Sequence, residues 1–176
     1  MVEALICGHS LGHIVRDFGP ALGIVGVGFT LLINGGRDER QRRREVHARA
    51  LEAVALYYEM PFLIRRRRDD EPAAERARLS ERFADVQAEL ASCEALIRAD
   101  NDAAVRAKYA TLVGALRAHA GKQASLAWDT APITQDSQMA MGDVYLALQP
   151  VRESLISCET VMAKSTTPRH RRLGRR

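Results

Sequence analysis

The sequence predicts an all-α protein: an N-terminal single transmembrane helix, then a cytoplasmic antiparallel bundle of four-helix type, and a disordered basic tail. Three observations carry this reading. A charge-free, glycine-rich stretch over residues 18–36 runs straight into five arginines within residues 37–44, the pattern of a membrane anchor followed by its cytoplasmic stop signal. Downstream, apolar residues recur every three or four positions, the period of an amphipathic helix. Strand signals are essentially absent. With aromatics at 5% and a single tryptophan, Trp128, the core must rest on Leu, Val and Ala, which suits helices packed on helices.

At 176 residues the chain has room for one domain and an appendage. The signals divide it into a short extracytoplasmic or interfacial segment (1–17), a transmembrane helix (18–36), a helical bundle (37–163) and a tail (164–176). The span is close to the ~20 residues that cross a bilayer, although its glycines dilute the apolarity. A cleaved signal peptide fits poorly: Glu3 and Asp17 precede the apolar run, and arginines crowd the place of a cleavage site. The competing reading is a buried helix or hairpin of a soluble fold.

Orientation follows from the arginines. Arg37, Arg40, Arg42, Arg43 and Arg44 follow the span, whereas only Arg16, beside Asp17, precedes it. The positive-inside rule then sets the N-terminus outside and residues 37–176 in the cytoplasm of a cell with the chain in its inner membrane. The same five arginines suit anionic headgroups, at about 1 kcal/mol per basic residue near the surface. Within the span Gly19, Gly23, Gly26 and Thr30 fall within roughly 60° of one another at 100° per residue. Gly19-xxx-Gly23 is a small-xxx-small pattern that lets two helix backbones approach, so these four residues form the expected interface of a homo-oligomer.

Gly8-His9-Ser10-Leu11-Gly12 resembles the nucleophile elbow of lipases and other α/β-hydrolases. The context defeats it. An elbow needs earlier strands and an upstream oxyanion loop, and only seven residues precede Gly8.

The first bundle helix spans residues 37–68, with Val46, Ala50, Val54, Tyr57 and Ile64 on one face, and Pro61 should kink or divide it. The second opens with Pro72 in its first turn and carries Leu79, Phe83, Val86, Leu90, Cys93 and either Leu96 or Ile97. Asp100-Asn101-Asp102 ends it and caps a third helix with Val105, Tyr109, Leu112, Leu116 and His119. Residues 128–136 read as the long internal loop. A fourth helix from about Ser137 uses Met141, Val144, Leu148, Val151, Leu155, Cys158 and Met162, with a kink at Pro150. Short polar connections make neighbouring helices antiparallel. The tail has no apolar periodicity and reads as disordered.

Bundles often hold metals, but the di-iron type needs Glu-x-x-His on two helices. None of the five histidines has an acid three positions before it, and the three cysteines show no zinc or disulfide spacing. No metal, cofactor or catalytic residue is expected. Glu45, Glu52 and Glu59 recur every seven residues as a solvated stripe. Arg65 to Arg68 with Asp69, Asp70 and Glu71 read as a charged helix end and turn, and Tyr57 and Tyr58 as packing.

The net charge of +4 is modest but clustered. In the tail, Arg169, Arg171, Arg172, Arg175 and Arg176 could meet lipid or nucleic acid. No aromatic residue interleaves them, which leaves base stacking unsupported. In general layout the chain resembles small bacterial membrane proteins with one N-terminal anchor and a helical cytoplasmic domain, a layout that specifies no activity. The expected role is a non-enzymatic docking or scaffold module with an unknown protein partner. Two alternatives remain: a membrane-permeabilising effector with a helical sensing domain, and a soluble bundle binding nucleic acid through its tail.

Overall fold

The computed structural model describes the backbone of residues 12–167 and the side chains of residues 38–167 apart from Asp136. The chain separates into two units, Met1–Arg42 and Arg43–Arg176. No strand occurs among the described residues.

The first unit holds the early part of α1 (Gly12–Arg65). Residues 18–36 have helical backbone within α1, and the helix begins ahead of them. Their side chains lie outside the described residues, as do Ser10 and residues 168–176. Among the described residues no helix is long and apolar enough to cross a membrane.

In the second unit α1 continues and is followed by α2 (Pro72–Arg98) and α3 (Ala103–Leu116). A π-helical turn, Arg117–Gly121, joins α3 directly to α4 (Lys122–Asp129). Then come α5 (Gly142–Ala147) and α6 (Gln149–Thr166). Side-chain pairs fix their directions. Arg43 meets Asp100, Arg49 meets Glu89 and Tyr57 meets Phe83, so α1 and α2 are antiparallel. Tyr109 donates to the Ala50 carbonyl and Gly121 lies beside the Tyr57 hydroxyl, so α3 runs with α1. Arg44 reaches the Thr166 carbonyl while Phe62 touches Tyr145, so α6 runs against α1. The result is the expected up-down-up-down bundle.

The periodicity that defined the helices also selected the core. Val54, Met60, Leu90, Tyr109, Leu112 and Leu148 are buried in one continuous cluster, each such side chain contributing on the order of 2 kcal/mol through apolar burial. On α2 the choice falls on Ile97, which is 1% exposed, over Leu96 at 41%. Met141, Val144, Val151, Cys158 and Met162 are buried as the spacing requires. Tyr57 is buried edge-on to Phe83 at 5.1 Å, and Tyr58 packs near Phe62.

Five features differ from expectation. Pro61 does not divide α1, which continues to Arg65: the proline deletes one backbone donor near the helix end, and buried Met60, Phe62 and Ile64 hold the turn in place. The loop starts after Asp129, because α4 packs Ala124, Ala127 and Trp128 against Ile64. The fourth helix starts at Gly142 rather than near Ser137, and it is two helices. Pro150 occupies the first turn of α6, where a missing N–H costs nothing, so a break at Leu148 replaces the expected kink. Finally, α6 extends to Thr166, itself buried, and so takes in the first residues assigned to the tail.

Candidate functional site

Three polar or open places deserve chemical scrutiny, and the first lies where the second unit begins. Arg43 and His47 stand one turn apart on α1 and therefore on one face. Both reach Asp100 in the turn between α2 and α3. Arg43 Nη2 donates to Asp100 Oδ1 at 2.7 Å, and His47 Nε2 lies 2.9 Å from Oδ2. The Asp102 backbone N–H donates to Oδ1 at 2.8 Å, while Arg106 Nη1 donates to the Asp100 carbonyl. Asp102 in turn accepts from the Ala104 N–H and caps α3.

Burial alone would raise the Asp100 pKa. The hydrogen bonds from the Asp102 N–H, His47 and Arg43, with the arginine charge, outweigh it and leave the carboxyl below its ordinary value. Among the described residues His47 Nδ1 and Arg43 Nε are buried without a hydrogen-bond partner. A histidine on a carboxylate is the arrangement of a general base, but a base must also reach a reacting proton. Among the described residues no hydroxyl or thiol bonds to His47. Through Arg43, His47 and Asp100 the cluster ties α1 to the α2–α3 turn as a latch.

The second place is the opposite end of the bundle. Arg67 curls back, donating from Nη1 to the carbonyls of Ile64 (2.9 Å) and Ala127 (2.8 Å) and from Nη2 to Thr130 (2.6 Å). Its guanidinium also lies over the Trp128 ring, 5.5 Å from the centroid. Burial, then the charges of Arg76 and Arg65, lower its pKa, a cost offset by the carbonyls it serves. Nearby, Arg68 pairs with Asp70 and Arg78 with Glu75 around a hollow of about 360 Å³. These two pairs are made within the hollow itself, in keeping with a charged helix end and turn.

The third is an open groove of about 360 Å³ between α1 and the α5–α6 arm. Ala55, Tyr58 and Glu59 form one wall, and Tyr145, Arg152 and Leu155 the other. Burial raises the Tyr58 pKa against the opposing effect of Arg152. Tyr145 is 51% exposed, and Leu146 and Ile156 on the same arm are 77% and 57% exposed.

Of the arginines expected to meet lipid, Arg37 lies outside the described side chains, Arg42 and Arg44 are exposed and Arg40 is half-buried. Arg43 is drawn into the latch, and Arg44 Nη2 also donates to the Thr166 carbonyl at 3.5 Å. The surroundings of Gly19, Gly23, Gly26 and Thr30, and the residues Arg169, Arg171, Arg172, Arg175 and Arg176, lie outside the described part. Glu45, Glu52 and Glu59 are exposed, and Arg49 of the same helix pairs across helices with Glu89.

Sequence reasoning missed the latch and the Arg67 clamp. For the latch a signal existed, an Arg and a His four apart on the helix antiparallel to one ending in Asp100. For Arg67 there was none, since four consecutive arginines look alike until the chain folds. Among the described residues no three of His, Cys, Asp and Glu converge as a metal site would need. Comparison with known proteins finds no family model that matches the chain, no curated protein and no solved structure.

Proposed function

We propose that this chain is a single-pass membrane protein, N-terminus outside, whose cytoplasmic bundle is a non-enzymatic docking or scaffold module. The observation that carries the reading is the single helix α1. Its sequence holds the charge-free stretch of residues 18–36 and the arginine burst, and its later turns supply core residues such as Ala50 and Val54. Among the described residues core positions are filled by close-packed apolar side chains, the buried His47 is engaged in the latch, and an open groove lies between α1 and the α5–α6 arm. That distribution suits binding rather than chemistry. Self-association runs through Gly19, Gly23, Gly26 and Thr30.

Fractionation of cells expressing the chain with a C-terminal reporter, including an alkaline carbonate wash, tests the anchor. Retention in the pellet with a cytoplasmically active reporter is expected. Full release into the supernatant would overturn it and leave the second reading, a soluble helical bundle, which the all-helical fold of the described residues does not contradict. For the glycine face, chains carrying Thr30→Cys should crosslink between copies, and adding Gly23→Leu should abolish the crosslink while leaving insertion intact.

A further inference from the structure

We propose that the groove between α1 and the α5–α6 arm is a contact surface for a second copy of this chain. The copies pair about a two-fold axis, with Glu59 of each facing Arg152 of the other. This contact is separate from the glycine face.

The groove has the composition of a recognition surface. Its floor is apolar, with buried Val54 and Val151, and its lips carry two tyrosines, Tyr58 and Tyr145. Tyrosine is enriched at interfaces because its ring buries apolar area while its hydroxyl stays wet. Leu146 and Ile156 on the same arm are exposed apolar side chains as well, and exposed apolar surface of this kind is used at interaction sites.

The charges select the occupant. Glu59 and Arg152 stand on opposite walls, both exposed, and among the described residues neither forms an ion pair. The arginine-rich residues 169–176 would be attracted by Glu59 and repelled by Arg152, and a uniformly acidic partner would meet the converse. An isologous contact uses one patch twice and must therefore complement itself. A groove with one acid on one wall and one base on the other does so: the two-fold axis brings unlike charges together at both ends of the contact.

The test uses two differently tagged copies of the full chain carrying Gly23→Leu, so that association through the glycine face is removed. Co-capture of one tag with the other is measured, with circular dichroism as the control for folding. Association should persist in that background. Glu59→Arg or Arg152→Glu alone, each setting like charges together twice, should weaken it by about tenfold or more. Combining the two swaps should restore it. No association in the Gly23→Leu background, association indifferent to either swap, or failure of the double swap to restore it would each overturn the proposal. None of these outcomes bears on the Thr30→Cys crosslink, so the two contacts stand or fall separately.

Discussion

His47 of α1 and Asp100 of the α2–α3 turn are hydrogen-bonded at 2.9 Å, with their side chains only 5% and 4% exposed. The bond joins positions 53 residues apart and, together with Arg43, ties the first residues of the second unit to the far end of α2. Removing one partner of such a cluster strands the others in a poorly solvated place, which costs more than the bond itself contributes. Asp100→Ala should therefore lower stability by about 3 kcal/mol, read as a fall in the urea midpoint. Asp102→Ala, which removes only the α3 cap, should cost about 1 kcal/mol.

The same carboxylate gives the bundle an acid limb. The folded pKa of Asp100 lies below its ordinary 3.8, so the folded state favours the ionised form. Its contribution is complete above the unfolded value and is lost as pH falls through the folded one. The stability difference between the parent chain and Asp100→Asn should shrink as pH falls below 3.8. Urea melts at stepped pH measure it. A gap that widens on acidification would contradict the assignment.

Arg67 closes the end of the bundle through carbonyls rather than carboxylates. Arg67→Ala should cost about 2 kcal/mol, the worth of hydrogen bonds from a charged donor. The loss should concentrate in faster amide exchange over residues 126–134, where Ile133 N–H bonds the Arg65 carbonyl. Lysine should rescue little, because one ammonium cannot span carbonyls that the guanidinium fork reaches from two nitrogens.

Two glycines in the same helical run should respond oppositely to alanine. A Cβ at Gly114 would meet nothing within 4 Å, so Gly114→Ala should stabilise by about 0.8 kcal/mol through helix propensity. At Gly121 a Cβ would lie 3.2 Å from the Tyr57 hydroxyl, and Tyr57 is held against Phe83. Gly121→Ala should be neutral or destabilising alone and stabilising by about 0.8 kcal/mol once Tyr57→Phe removes the oxygen. Thermal melts of the four variants in the cycle decide it.

The buried thiols should be silent in the folded protein. Burial pushes the Cys158 pKa up to about 11 and raises that of Cys93, in both cases ahead of the neighbouring acid's effect. With Cys7→Ser in place, neither should react with a disulfide reagent at pH 8 within minutes, and both should react on unfolding.

The sequence by itself determined which residues face inward. On α2 and α3 the alternation of threes and fours set Leu79, Leu90, Tyr109 and Leu112 on buried faces, because a helix fixes side-chain direction locally. The cap at Asp102 and the start at Pro72 were legible for the same reason: they answer to backbone donors within the same turn. Helix ends settled by packing were not, since α4 exists where Trp128 and Ala127 find Ile64, and α6 runs on to Thr166 because that side chain is covered.

Tertiary structure alone decided the roles of the charges. Five arginines in residues 37–44 and four in residues 65–68 are equivalent on paper. Only the fold makes Arg43 a latch, Arg67 a carbonyl clamp and Glu59 the opposite wall to Arg152. Polar interactions depend on atoms meeting within about 3 Å, and residues distant in sequence reach that separation only after the apolar pattern has brought their helices together.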